Sequence, residues 1–328
     1  MTCKPLITIG ITCFNAADTI DRAIASALAQ DWPWIEILVV DDASVDTSAE
    51  RIAAWAGRDK RLRVVRHEVN LGYPSALNTL ISAAQGQAIA FFDDDDHSAP
   101  DRLRHQYDRL TSHEAKHPAQ PVLCYANRLV VEGSQRVLSR AIGRQAPEPH
   151  GPAVADFLLL QARARPFTWG QFGSCTLMAR VGVLRGLGGF DPGFRRMAEW
   201  DLAIRAAAGG AHFIAVDAPL VTQYKTPGDG AEKTGNTPLR YALRLREKHA
   251  GILRERGLYR AARAMAHVRF HAARGARGRM RVFAALALVH APRQMAAPVL
   301  GGSRIWRRIR NVISAATHLS KTKGEGRA

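Results

Sequence analysis

Four consecutive acids, Asp93-Asp94-Asp95-Asp96, follow directly on a short apolar run, Ala88-Ile89-Ala90-Phe91-Phe92. Two carboxylates about 5 Å apart at an effective dielectric near 20 repel by roughly 3 kcal/mol. Four in succession on a partly buried turn therefore call for a cation, a proton or full solvation. Hard oxygen ligands of this kind suit Mg²⁺ or Mn²⁺. The plainer alternative is a solvated turn in which Asp96 or Ser98 caps a helix starting near Pro100. A second acidic pair, Glu199 and Asp201, flanks Trp200 at the start of a helical run. Acids there complement the helix dipole, worth about 0.3–1 kcal/mol. Two residues apart on a helix, however, their side chains diverge by ~200°. One is expected to face a cleft while the other caps or orients.

The elements that must hold these groups follow from periodicity and punctuation. The run 88–92, preceded by Gly86, reads as a strand buried on both faces. The acids then sit at its carboxyl end, where open α/β sheets place their ligands. Upstream, Leu6–Thr12 predicts a strand ending in Cys13-Phe14-Asn15, with Asp18 placed to cap a helix over Thr19–Gln30. Ile35–Val40 predicts a second strand, ending in Asp41-Asp42-Ala43-Ser44. Asp46 caps the next helix and Gly57 closes it. Leu62–Val65, the turn Asn70-Leu71-Gly72 and a helix over Pro74–Ala84 complete a βαβαβαβ alternation. That alternation implies an α/β fold with a mainly parallel sheet and helices on both faces. Thr12, Asp42 and Asp95 then fall on one rim of the sheet.

Downstream, Val122–Tyr125 and Leu129–Glu132 read as strands, Ala153–Ala162 as a helix, and Gly173–Ala179 as a strand. Helices over Val181–Leu187 and Glu199–Ala208 follow, the latter stopped by Gly209-Gly210. Lys225, just past a strand over Leu220–Tyr224, is placed either to help hold a diphosphate or to be an ordinary solvated lysine.

Composition narrows the function classes. The 328 residues carry a net charge of +17, very unevenly. The first 235 residues hold 25 Lys+Arg and 26 Asp+Glu, whereas the remainder hold 21 and 3. A near-neutral body (1–235) therefore precedes a basic helical region (236–328), with a Gly/Pro/polar linker over 226–236. Four cysteines without metal spacing point to free thiols in a reducing compartment. The N-terminus lacks signal-peptide character, and the longest apolar run, Val282–Ala291, falls short of the ~20 residues of a membrane span. The expectation is a cytoplasmic chain. No G-x-x-x-x-G-K-[ST] loop occurs, and the turn 12–18 has no glycine, which counts against a dinucleotide fingerprint. The 12 histidines show no metal-binding spacing.

Within the basic region, Thr237-Pro238 opens a helix that Gly251 is expected to end. Over Ser303–Leu319, Ile305, Trp306, Ile309, Val312, Ile313, Ala316 and Leu319 share an arc of ~140°. Arg304, Arg307, Arg308 and Arg310 lie outside it. Such a helix either packs on the body or lies in the plane of an anionic membrane surface, on the inner face of the cell membrane. Basic composition alone gives nonspecific phosphate binding. No zinc-finger or RNP-type motif supports specific nucleic-acid recognition.

As an ordered set, several motifs carry a family resemblance over about residues 5 to 225. Ile9-Gly10-Ile11-Thr12-Cys13-Phe14-Asn15, Val39-Val40-Asp41-Asp42-Ala43-Ser44, Asn70-Leu71-Gly72 and Phe92-Asp93-Asp94-Asp95-Asp96 resemble the nucleotide-sugar half of the family 2 inverting glycosyltransferases, which have the GT-A fold. Gly188-Gly189-Phe190-Asp191-Pro192 and Ala198-Glu199-Trp200-Asp201-Leu202 resemble the acceptor half. The resemblance divides the body into a nucleotide-sugar half (1–115) and an acceptor half (116–235). It implies that Asp42 contacts the nucleotide base, that Thr12, Phe14 and Asn15 wrap it, and that Gly72 completes the donor side. It makes Asp93 and Asp95 the two acids of a D-x-D element for ribose and metal, with Asp94 between them and Asp95 the first-choice ligand. It makes Glu199 the base ahead of Asp201, although Ala198 replaces the acid the family usually has before it. A proline near Thr12 and a tyrosine at Phe14 are usual and absent here, which leaves the base open. The implied activity is hexosyl transfer from a nucleotide sugar, a UDP-sugar foremost, to a glycan or lipid-linked hydroxyl, with Mg²⁺ or Mn²⁺. The rival readings are a nucleotidyltransferase, which typically opens with a Gly-rich basic loop, and a catalytically dead adaptor that binds membrane or nucleic acid.

Overall fold

The computed structural model describes residues 4–225 and 235–300. The chain divides into two compact units, Met1–Ala155 with Ala164–Gly235, and Asp156–Arg163 with Asn236–Ala328.

The first unit is built on a sheet whose central strands are apolar without interruption. β1 (Ile7–Cys13) and β2 (Ile35–Asp41) are buried at every position, as strands covered on both faces must be. β3 (Leu62–Arg66) mixes buried and exposed positions and lies at the sheet's edge. β4 (Ala88–Asp93) pairs with β1 on the other side. These four strands are parallel, in the order β3-β2-β1-β4, and are joined by α1 (Ile20–Leu28), α2 (Ser48–Ala56) and α3 (Tyr73–Ala83). Register places Thr12 beside both Val40 and Asp93, so three strands finish level on one rim. Gly86 admits no side chain where the chain enters β4. A Cβ there would lie 2.5 Å from the Thr8 nitrogen.

Beyond β4 the strand directions mix. β5 (His97–Ser98) leads into α4 (Arg102–Lys116), which is followed by β6 (Val122–Glu132) and its hairpin partner β7 (Gln135–Ser139). After α5 (Pro152–Leu160), a 3₁₀ turn over Ser174–Thr176 precedes β8 (Met178–Arg180), α6 (Val181–Gly186), α7 (Ala198–Ala208) and β9 (His212–Tyr224). β8 runs antiparallel to β4 and β6, β9 parallel to β6, and β5 antiparallel to β9.

Several local expectations change. The two predicted strands over 122–132 are one, because register shifts on either side of Asn127 absorb the polar interruption. Residues 173–176 form a turn rather than strand. Asp18 does not cap α1, whose N-cap is Thr19 without a side-chain bond. Asp46 does accept from the Ser48 nitrogen (3.0 Å), and also from Ala17 (3.1 Å), tying two loops together. Neither Asp96 nor Ser98 caps α4. Ser98 Oγ instead accepts from Arg102 Nη1 (2.9 Å), whose Nη2 donates to the Phe91 carbonyl (2.9 Å). Arg102 is fully buried, with its guanidinium 4.4 Å from the centre of the Phe92 ring. Burial pushes its pKa down to about 10, so it remains a cation directly beneath the acids.

The second unit is helical: α8 (Thr237–Lys248), α9 (Ala250–Glu255), α10 (Tyr259–Ala273), α11 (Arg277–His290) and α12 (Pro292–Leu300). Gly251 lies inside α9 instead of ending a helix. Buried Arg246 donates to the carbonyls of Ala242 (2.8 Å), Ala262 (2.6 Å) and Leu159 (2.6 Å), and Arg256 forks onto Asp156 (2.6 and 2.7 Å). Among the described residues no helix is long and apolar enough to cross a membrane. The amphipathic stretch 303–319, and most of the linker 226–236, lie outside the described residues.

Candidate active site

The loops after β1 and β2 are knitted together on the strand-end rim. Asp42 N donates to the Cys13 carbonyl (2.8 Å), Asn15 N to Ser44 Oγ (3.0 Å), and Val45 N to Asn15 Oδ1 (2.9 Å). Asn15 and Ala43 sit at φ 51° and 62°, left-handed conformations that cost free energy for residues with a Cβ and recur at functional sites. Phe14 is 47 % exposed, leaving an aromatic face at the rim, while its nitrogen donates to Asp94 Oδ2 (3.1 Å). Thr12 is buried below it.

Asp42 is also buried, and most of its carboxylate is engaged within the chain. Leu71 N (2.9 Å) and Gly72 N (2.8 Å) donate to its two oxygens, and His67 Nδ1 lies 2.7 Å from Oδ1. Of about four lone-pair positions on a carboxylate, one remains for an external N–H. Gly72, at φ 88°, takes a conformation that L side chains rarely adopt.

Of the four acids Asp96 is buried and Asp93, Asp94 and Asp95 are half-buried, close enough to repel one another. Burial first, then Asp95, pushes the Asp93 carboxyl up to about 6. Burial raises Asp94 to about 8 and Asp96 to about 9, with neighbouring acids adding to both. Asp96 Oδ1 accepts from Tyr224 N (3.3 Å), but its buried Oδ2 has no hydrogen-bond partner. Arg22 Nη2 donates to the Asp95 carbonyl, and its guanidinium stacks 4.2 Å over the Tyr224 ring.

A line of hydrogen-bonding oxygens runs from these acids to α7. Tyr73 OH donates to Asp93 Oδ1 (3.0 Å), lies 2.7 Å from Ser174 Oγ, and Ser174 Oγ in turn donates to Glu199 Oε1 (3.1 Å). Two hydroxyl hydrogens cannot fill three contacts. With Tyr73 donating to Asp93 and Ser174 to Glu199, no hydrogen is left for the 2.7 Å approach of Tyr73 OH to Ser174 Oγ. Burial likewise raises the Tyr73 phenol well above its ordinary value, so it stays protonated.

Glu199 and Asp201 part company at the first turn of α7. Asp201 is fully buried and accepts from Arg205 Nε (2.8 Å). Arg205 also clamps the carbonyls of Leu187 and Gly189 (2.6 Å), so this pair secures the Gly188-Gly189 turn. Lys225 is not brought to the acids. Its ammonium pairs with Glu132 (2.7 Å) at an exposed position.

A further cation that approaches the acids is Arg128, which sequence reasoning missed. It sits on β6 just past the register shift, largely buried, with Nη1 3.3 Å from Cys175 Sγ. Asp93 and Asp96 help to raise its pKa. Gly173 makes room for it, since a Cβ there would lie 2.6 Å from Arg128 Nη1. Tyr73 and Ser174 were missed as well. The only signal was Tyr73 following Asn70-Leu71-Gly72.

The acid cluster fits a divalent cation. Asp93, Asp96 and Cys175 bring potential ligand atoms within 4.8 Å of one another, and Asp96 Oδ2 is an orphaned buried acceptor. Burial holds the Cys175 thiol well above its ordinary pKa, so the oxygens rather than the sulfur are the donors. An all-oxygen set favours Mg²⁺ or Mn²⁺ over softer ions.

Comparison with known proteins bears directly on this rim. The family model "Glycosyl transferase family 2" matches residues 8–134, which include both knitted loops and all four acids. Over those residues the chain is similar to the family 2 glycosyl transferases. The succinoglycan biosynthesis protein ExoU of Rhizobium meliloti is 32% identical over 209 residues, covering 63% of this chain and 58% of that protein. ExoO of the same organism is 44% identical over 105 residues, covering 32% and 30%. The putative teichuronic acid biosynthesis glycosyltransferase TuaG of Bacillus subtilis is 36% identical over 103 residues, covering 31% and 41%. The chain thus spans between about a third and three fifths of these relatives' lengths. Among solved structures, S. aureus TarS 1-349 in complex with UDP-GlcNAc superposes with a TM-score of 0.63 at 17% identity, over 89% of this chain and 83% of that one. The fold is therefore of the GT-A type, and residues 8–134 take in its parallel strands β1–β4 together with β5, α4 and β6.

Proposed function

We propose that this chain is an inverting glycosyltransferase. It moves a hexose from a nucleoside-diphosphate sugar, a UDP-sugar foremost, to a hydroxyl of a growing cell-surface polysaccharide or its lipid-linked intermediate. The observation that carries this reading is the line Asp93–Tyr73–Ser174–Glu199, which sets a carboxylate across from the strand-end acids with only two hydroxyls between. Succinoglycan biosynthesis is the stated role of ExoU and ExoO, and TarS is described with UDP-GlcNAc. These support the substrate classes.

In this reading the base lies on the rim formed by Thr12, Phe14, Asn15, Asp42 and Gly72, with the exposed Phe14 ring as a stacking face. The last lone pair of Asp42 accepts a base N–H. Asp95 and Asp93, joined by Asp96 Oδ2, hold a divalent ion. When bound, that ion offsets charge on the departing diphosphate. Arg128, with Arg102 beneath, supplies fixed positive charge to the same region. Glu199 takes the acceptor hydroxyl's proton as its oxygen bonds to the anomeric carbon. The bond to the diphosphate breaks on the opposite face, and the centre inverts. Ser174 fixes the Glu199 rotamer through Oε1, leaving Oε2 to receive the proton. Lys225, exposed and paired with Glu132, stays outside the donor contacts in this reading. The basic region 236–328 supports attachment to the inner face of the cell membrane, with the helix predicted over 303–319 as the contact.

The test is a screen of nucleotide sugars for binding and for slow hydrolysis, each with Mn²⁺ and with EDTA. A preferred nucleotide sugar, consumed only with metal, supports the reading. Binding of nucleoside triphosphates with no nucleotide sugar bound would move it to nucleotidyl transfer.

A further inference from the structure

Three of the histidines that look scattered in the sequence converge at the end of the sheet away from the acids. His113 and His117 lie one turn apart in and just past α4, and His212 opens β9. His113 Nε2 lies 2.8 Å from His212 Nδ1. The ring of His117 is centred 4.5 Å from that of His113 and 4.7 Å from that of His212. A ring nitrogen from each of the three falls within 4.8 Å of the other two. Nitrogens bound tetrahedrally to Zn²⁺ at 2.0–2.1 Å stand roughly 3.3 Å apart. Small side-chain rotations, opening the 2.8 Å pair and drawing in the third ring, therefore suffice to place all three on one ion.

The surroundings match a metal site more closely than a chance packing of rings. With Nε2 facing the cluster, His113 turns Nδ1 towards Glu148, whose Oε1 is 3.7 Å away. Arg109 holds Glu148 through a 2.6 Å contact. A carboxylate behind a ligating imidazole fixes its tautomer and raises its basicity. The backbone is anchored at each ligand: His117 N donates to the His113 carbonyl (3.0 Å), His212 N to Pro121 (2.8 Å), and Phe213 N to Pro149 (2.9 Å). His150 bridges His212 antiparallel, its ring centred 4.9 Å away, and stands beside the fourth position, which water can also fill.

We propose that His113, His117 and His212 form a zinc site, separate from the acids, that staples the end of α4 to the start of β9. Donor chemistry sorts the two places: imidazoles take Zn²⁺, carboxylates take Mg²⁺ or Mn²⁺. Along β9, His212 lies ten residues before Thr222, the partner of His97 next to the acids. At the strand rise that is on the order of 30 Å. The ion's role is structural, since it joins two elements that no disulfide crosslinks.

The experiment uses the full chain stripped with EDTA and titrated with Co²⁺ and with Zn²⁺ alone. One equivalent of Co²⁺ is expected to give the intense visible bands of a tetrahedral ion, and Zn²⁺ to bleach them. Zn²⁺ at ~100 times its dissociation constant should raise Tm by roughly 5–10 °C. His117→Gln and His212→Gln should show neither effect while melting near stripped wild type. Asp95→Ala should keep both, because it touches only the acid site. Absence of the bands and of the Tm rise in wild type overturns the proposal. So does their survival in both histidine variants, or their loss in Asp95→Ala.

Discussion

Glu199→Gln separates proton transfer from every other duty of its side chain. Glutamine keeps Oε1 as the acceptor for Ser174 Oγ at 3.1 Å, so the rotamer and the line to Asp93 survive. What it lacks is a basic Oε2. A positioned general base contributes about 10²–10⁴-fold, so kcat for transfer should fall by that factor. Loss of the charge at the first turn of α7 costs only about 0.3–1 kcal/mol of stability. Donor affinity should hold or improve, because Glu199 repels Asp93 and would repel a diphosphate placed beside it. The matched control is Asp201→Asn, which weakens a buried, charged hydrogen bond to Arg205. That should cost about 1.5–3 kcal/mol, or roughly 3–12 °C in Tm, with transfer by the folded fraction little changed. The assay pairs calorimetric donor binding with acceptor-dependent release of nucleoside diphosphate. The assignment fails if Glu199→Gln keeps transfer within about threefold of wild type, or if Asp201→Asn abolishes it in a protein that melts normally.

Three further outcomes follow from the acids. Excess EDTA should abolish nucleotide-sugar turnover, and Asp95→Ala should remove most of it while circular dichroism stays native; full turnover in either case would remove the metal from the reading. Tyr73→Phe deletes the donor that holds Asp93 down, so the acid limb of Mn²⁺ binding against pH should move up by about one to two units, and an unshifted limb would show that the line does not tune Asp93. Burial and the neighbouring acids push Asp94 up to about 8 and Asp96 up to about 9, far above an unfolded aspartate near 3.9, so the native chain holds more protons there and its stability without metal should fall as pH rises. Measured by Tm in EDTA between pH 7 and 8, above most histidine titration and below that of the thiols, the slope should be negative and should flatten in Asp96→Asn. A flat or rising wild-type curve would contradict it.

The parallel half was legible because its signal is local. An apolar run ending in Asp or Thr needs no partner to be recognised, and three such runs in βα alternation put Thr12, Asp42 and Asp95 on one rim. Tyr73 and Ser174 could not be found this way, since they are 101 residues apart and each is unremarkable in its own segment. Arg128 was hidden by its neighbour. Asn127 reads as a break in a strand, yet it is buried, bonded to Asp217 (2.7 Å) and to the Ala141 nitrogen (2.8 Å), and the strand continues through it. His113 and His117 are in helical spacing, but their partner His212 arrives 95 positions later on another element. Lys225 shows the converse: strand-end position alone left open whether it would hold a diphosphate or face solvent, and its ammonium pairs with Glu132 at an exposed position.

Arg246 has a bearing on how the polypeptide is made and cut. The segment 156–163 leaves the ribosome about 80 residues ahead of the helix whose buried guanidinium caps the Leu159 carbonyl. Until residues 246–256 follow, Leu159 and Asp156 await Arg246 and Arg256, so the second unit cannot be completed in order of synthesis. Truncation after Gly235 would freeze the chain in that unfinished state, with an apolar flap and no arginine to seat it. A fragment meant to isolate the first unit should therefore replace 156–163 with a short polar turn rather than simply stop at the linker.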